Sequence, residues 1–120
     1  MASLLLVDGD RNFREALAIA LRLDGNAVAG AETGAAAERV LEGGTRFDLC
    51  VVDATAEGAD AALAAASRAG VRALVVAARS ELLVLAGRRH PGTALLAKPF
   101  GPAEIARCLA GGPPPAARAG

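Results

Sequence analysis

A chain of 120 residues is long enough for one domain with one continuous core and too short for two. Apolar residues make up 53% of it, but there is no Trp, no Tyr and only three Phe, so the core must be aliphatic. Thirteen acidic residues balance thirteen basic ones, which argues against a nucleic-acid or anionic-membrane surface built on bulk charge. No apolar run has the length of a membrane span. The opening "MASLLLVDGD" puts an acid where a secretory leader would continue its apolar region, so a cytoplasmic location is expected.

The first apolar run, "SLLLVD", is too short for a buried helix and reads as a strand. After it Phe13, Leu17, Ala20 and Leu21 share one helical face, and Gly25 marks the stop. The weak run "AVAGA" is followed by Thr33 as a candidate N-cap, by Val40 and Leu41 on a helix, and by Gly43 and Gly44 after it. The third run, "FDLCVVD", precedes an alanine-rich helical stretch from Ala59 to Ala69. The fourth, "RALVVAA", leads to Ser80 as a cap and the helix "ELLVLAGRR"; the fifth, "TALLA", leads to Pro102 in a first turn, with Ile105, Cys108 and Leu109 on one face and Gly111 at the end. Short, nearly continuous apolar strands alternating with helices predict a parallel sheet covered on both faces. Residues 1–110 read as the domain, and "GGPPPAARAG", residues 111–120, as a Gly/Pro/Ala-rich tail or the start of a linker. Cys50 and Cys108 both fall on apolar positions and read as buried thiols.

In an open parallel sheet the chemistry gathers where loops leave the carboxyl ends of the strands. The first strand ends at Asp8, with Asp10 two residues on; the third ends at Asp53 and the fifth at Lys98. An Asp at a strand end is commonly a cap or turn former. Two acids and a lysine on three different strand ends are harder to attribute to capping. Lys98 is the single lysine among twelve arginines. The arrangement suits carboxylates able to hold Mg²⁺ beside a nucleophilic carboxylate, with a compact ammonium balancing the charge of a bound phosphoryl group.

From Leu4 to Leu109 the chain resembles the receiver domain of bacterial two-component response regulators. The likeness rests on "LLLVDGD", "FDLCVVD", "VVAARS" and "LLAKPF" followed by a helix. The resemblance implies a flavodoxin-like doubly wound α/β fold, with a five-stranded parallel sheet in order 2-1-3-4-5 and helices on both faces. It implies that Asp53 accepts a phosphoryl group from a histidine kinase or phosphotransfer protein, without independent substrate turnover. Asp8, Asp53 and the backbone carbonyl of Thr55 would hold Mg²⁺, with Asp10 a further candidate; Lys98 would contact the phosphoryl oxygens, and the bond to Pro99 would be cis. A protein partner or second copy would dock on the face of the fourth and fifth helices, and neither nucleic acid nor membrane is expected.

The departures from the family are as informative. The second acid after the first strand is Gly9, the hydroxyl after the fourth strand is Ala77, the aromatic of the fifth strand is Leu95, and Ala56 and Glu57 replace the usual Met-Pro. Two readings stay open: a phosphorylated receiver with weak or absent Mg²⁺ dependence, and a pseudo-receiver that binds a protein independently of phosphorylation. A remote third is a haloacid dehalogenase-like phosphohydrolase with Asp8 as nucleophile and Asp10 as acid. His90 reads as a solvated helix terminus suited to the helix dipole, and Leu82 to Leu85 as either a buried helix or an exposed partner patch.

Overall fold

Five apolar runs become strands and five amphipathic stretches become helices in the computed structural model, which describes residues 1–111. Among these residues the order is β1 (Ser3–Val7), α1 (Arg11–Leu23), β2 (Ala27–Ala31), α2 (Gly34–Glu42), β3 (Leu49–Asp53), α3 (Ala59–Arg68), β4 (Arg72–Ala77), α4 (Ser80–Arg89), β5 (Ala94–Ala97) and α5 (Pro102–Leu109). All neighbouring strands pair in parallel, in the order β2-β1-β3-β4-β5. The expected doubly wound α/β sheet is therefore present. The expected tail lies outside the described residues except for Gly111, which follows α5 with φ +90°.

Period-two alternation sorts the side chains into two layers. Leu5, Val7, Cys50, Val52, Val75 and Ala77 point toward α2, α3 and α4 and pack with Ala37, Leu41, Leu63, Leu83 and Ala86. Leu4, Leu6, Val51, Leu74, Val76 and Leu96 point the other way, onto Leu17 and Leu21 of α1 and Ile105 of α5. Strands β1, β3 and β4 are covered on both sides, which is why their sequences are almost uninterruptedly apolar. β2 lies at the edge: Ala27 and Gly30 are exposed and Val28 and Ala29 half-buried, while Ala31 is buried. Cys50 and Cys108 sit in opposite layers, both buried and free. Burial pushes the Cys50 thiol up to about 12, so it behaves as a small apolar side chain.

Two of the five helix starts have a side-chain cap. Thr33 caps α2, its Oγ1 accepting the Ala36 N–H at 3.2 Å, and Asp10 caps α1. Ser80 does not cap α4. Arg79 takes the N-cap position without a side-chain hydrogen bond, and Ser80 is already helical; Glu81 in the first turn supplies the negative charge that the helix dipole favours there. Helices α2 and α3 start in backbone contact: the Gly34 N–H donates to the Glu57 carbonyl at 2.7 Å, and a Cβ on Gly34 would lie 1.8 Å from the Gly58 carbonyl oxygen. Gly58 itself has φ +75°, so both positions need glycine.

The apolar stretch of α4 divides between core and surface. Leu83 and Ala86 are buried, whereas Val84 is 53% and Leu85 46% exposed. Leu83 is thus a core residue and not part of a docking patch. His90 ends α4 half-buried, with Nε2 2.9 Å from Asp60 Oδ1, so it ties α4 to α3 and is not simply solvated.

Candidate functional site at the carboxyl ends of the strands

Strand order reverses between β1 and β3, and there the helices leave on opposite faces and open a crevice at the carboxyl ends. Asp8 leaves β1 with its N–H bonded to the Ala31 carbonyl at 3.1 Å, and Asp53 is the last residue of β3. Lys98 follows β5, its N–H on the Ala77 carbonyl at 2.8 Å, and its four-carbon stem reaches across the end of β4. Its Nζ lies 3.0 Å from Asp8 Oδ2 and 2.5 Å from Asp53 Oδ2. Among the described residues, Asp8 and Asp53 are the buried charged side chains.

Every oxygen of the two carboxylates has a donor. Asp8 Oδ1 accepts the Asp10 N–H at 2.9 Å; Asp53 Oδ1 accepts the Thr55 N–H at 2.7 Å and the Thr55 hydroxyl at 2.5 Å. Burial opposes ionisation of Asp53, but hydrogen bonds from Lys98 and Thr55 and the Lys98 charge outweigh it and hold the carboxyl below its ordinary range. Burial likewise opposes the charge on Lys98, and the bonds and charges of Asp53 and Asp8 overcome it, so Lys98 stays protonated above its usual range. The site is an ammonium held between two buried acidic side chains under an open cleft of about 290 Å³, rimmed by Gly9, Thr55 and Arg79. A larger hollow of about 370 Å³, beside Arg72, His90 and Thr93, lies at the opposite ends of β4 and β5, away from these groups.

Asp10 also borders the cleft, but its Oδ1 is engaged as the α1 cap, accepting the Phe13 N–H at 3.1 Å. Gly9 offers no ligand, although a Cβ there would meet only the Glu32 carbonyl, at 3.9 Å. Ala77 is fully buried opposite Ala97; Leu95, on β5, pairs with Val75 of β4 and lies against Gly87 of α4. The Lys98–Pro99 bond is cis. Two participants have no signal in the sequence. The Arg14 guanidinium donates to the Asp8 carbonyl at 2.6 Å across the space left by Gly30, and the Phe13 ring lies under Lys98, its centroid 3.9 Å from Nζ. Both read locally as ordinary helix positions.

Among the described residues no three or more His, Cys, Asp or Glu side chains converge as a metal cage. Mg²⁺ is commonly held by one or two carboxylates, with water and phosphate oxygens completing its shell. Asp8 and Asp53 fit that minimal donor set, and Lys98 competes for the same two Oδ2 atoms.

No protein-family model matches the chain, and no curated protein does. Solved structures do. The receiver domain of a Francisella response regulator superposes with a TM-score of 0.73 at 16% identity, covering 92% of this chain and 94% of that one. The chemotaxis protein CheY4 of Vibrio cholerae gives 0.78 at 23% identity, covering 92% and 97%. A Burkholderia pseudomallei response regulator, solved with a phosphorylated aspartic acid, a calcium ion and citrate, gives 0.77 at 23%, covering 91% of this chain and 66% of that one. At these identities the likeness is one of fold: the chain has the fold of response regulator receiver domains.

Proposed function

We propose that this chain is a phosphoryl-accepting receiver module in which Asp53 is the acceptor. The observation that carries this reading is the Lys98 ammonium bridging Asp8 and Asp53 beneath an open cleft at the sheet's switch point. In the transfer, an Asp53 carboxylate oxygen attacks the phosphorus of a phosphohistidine on a kinase or phosphotransfer protein. The P–N bond breaks, and its electron pair stays on the imidazole nitrogen, which then takes up a proton. Lys98 leaves Asp53 Oδ2 to meet the charge arriving on the phosphoryl oxygens, as a flexible point charge can. A Mg²⁺ ion held by Asp8 and Asp53, with the Thr55 carbonyl as a further ligand, would neutralise charge between the carboxylates and the incoming group. Gly9 makes that contribution weak.

A second reading, a pseudo-receiver that binds a partner or a second copy through α4 and α5 without phosphorylation, draws on different observations. Both Asp53 oxygens are already bonded, Ala77 and Leu95 give added charge no hydroxyl or ring to pull, and Val84 and Leu85 are exposed on α4. The phosphohydrolase reading has less support, because the Asp10 oxygen that would act as acid caps α1.

Intact mass after exposure to a small acyl phosphate, with and without Mg²⁺, separates these readings. One added phosphoryl group, lost in Asp53→Asn, is the expected result. No addition favours the binding module, and an acyl phosphate mapped to Asp8 ends the receiver reading.

A further inference from the structure

We infer that Phe13 positions the Lys98 ammonium, its ring face serving as the third partner beside the two carboxylates. An ammonium has three N–H donors. Two face Asp8 Oδ2 and Asp53 Oδ2, and the Phe13 ring centroid lies 3.9 Å from the same nitrogen, well inside the ~6 Å reach of a cation–π contact. The Lys98 side chain is only 17% exposed, so water screens little of this attraction.

The ring is itself fixed from two sides. The Phe13 N–H bonds to Asp10 Oδ1, which holds the residue in the first turn of α1. Its ring meets Phe100 edge-on, with centroids 5.7 Å apart at 76°. Phe100 lies two residues beyond Lys98, so the segment carrying the ammonium also carries the brace for the ring. Two of the three aromatic residues in the chain thus meet at its single lysine. A leucine at position 13 would serve the α1 core face equally well but has no quadrupole. Asp10 acts on the site through this chain, by setting where Phe13 stands.

For phosphoryl transfer, and so resting on the function proposed above, the ring keeps the ammonium in the cleft when Asp53 gives up its bond to it. Phe13 is then a positioning residue.

The test compares wild type, Phe13→Leu and Phe13→Tyr in the full chain. The first readout is the ε-methylene and Nζ resonances of Lys98, which a ring face shifts and an aliphatic side chain does not. The second is reductive methylation of the single lysine, followed by intact mass with the N-terminal amine as internal reference. Phe13→Leu is expected to abolish the ring-current shift and speed Lys98 methylation about fivefold, while Phe13→Tyr keeps both near wild type. A ring that serves packing alone would leave the Lys98 methylation rate of Phe13→Leu at the wild-type value, which would also overturn the inference. Resonances unchanged in Phe13→Leu, or Tyr behaving as Leu does, would overturn the inference. If Asp53 also accepts a phosphoryl group, Phe13→Leu should slow transfer severalfold with donor affinity unchanged. No phosphorylation in any variant counts against the proposed function and leaves the lysine result to judge Phe13.

Discussion

Replacing Lys98 by Met keeps most of the stem and removes the charge, which leaves Asp8 and Asp53 facing each other in a buried space. Two charge-assisted hydrogen bonds disappear, each worth about 1.5–3 kcal/mol. Removing one partner from a buried ion pair typically destabilises by about 3–5 kcal/mol, and that is the loss expected near pH 7. It is a large part of the roughly 5–15 kcal/mol that holds a domain together. The loss depends on pH in a stated direction. Asp53 is held below its ordinary range, so its contribution is complete above the unfolded value of about 3.9 and fades as pH falls through the folded value. Lys98 is held above its ordinary range, so its contribution is complete below about 10.4 and fades as pH rises through the folded value. The stability difference between wild type and Lys98→Met should therefore be flat from about pH 5 to 9 and shrink on either side. Urea unfolding followed by far-ultraviolet circular dichroism measures it, since the chain has no Trp or Tyr. Millimolar Mg²⁺ should recover part of the loss in the variant, by mass action on the two freed carboxylates. A loss below about 1 kcal/mol at pH 7, or a difference unchanged down to pH 3, would refute the picture of a buried, mutually dependent triad.

Gly9→Asp is expected to fold, since its Cβ meets only the Glu32 carbonyl at 3.9 Å, and to bind Mg²⁺ at least about tenfold more tightly by calorimetry. Unchanged affinity would mean that position 9 does not face the cation. Gly34→Ala puts a Cβ 1.8 Å from the Gly58 carbonyl oxygen, so α2 and α3 must separate; a loss of about 1–3 kcal/mol or more should appear as a lower melting temperature, and wild-type melting would show that the helices yield freely. Leu83→Glu should abolish cooperative unfolding because it places a charge in the core, whereas Leu85→Glu, on a residue 46% exposed, should stay within about 0.5 kcal/mol of wild type. Equal effects of the two would contradict the division of α4 into core and surface sides.

What could be read from the residue order, and what could not, divides along a physical line. Asp8, Asp53 and Lys98 could be read because each stands at the end of an apolar run, and a parallel sheet brings the carboxyl ends of its strands to one edge whatever the details of packing. The partners of those residues depend on side chains meeting across elements, which local pattern does not encode. The spacing of Phe13 with Leu17 and Leu21 states that it faces inward; periodicity cannot distinguish a ring packed into aliphatic core from one turned toward a cation brought by another strand. Gly34 and Gly58 each look like ordinary glycines near a helix start, and only their mutual approach makes them obligatory. Thr55 enters the sequence reading only through its backbone carbonyl; that its N–H and hydroxyl both bond one Asp53 oxygen is visible only in three dimensions. The single lysine among twelve arginines belongs to both kinds. Its position at a strand end brings it to the same edge of the sheet as Asp8 and Asp53, but the reason for its chemistry is three-dimensional. Two carboxylate oxygens and an aromatic face converge on one nitrogen. An ammonium meets all three with tetrahedrally spread donors. A guanidinium, with its donors confined to a plane, would have to choose between lying flat on the ring and pointing its edge at both acids.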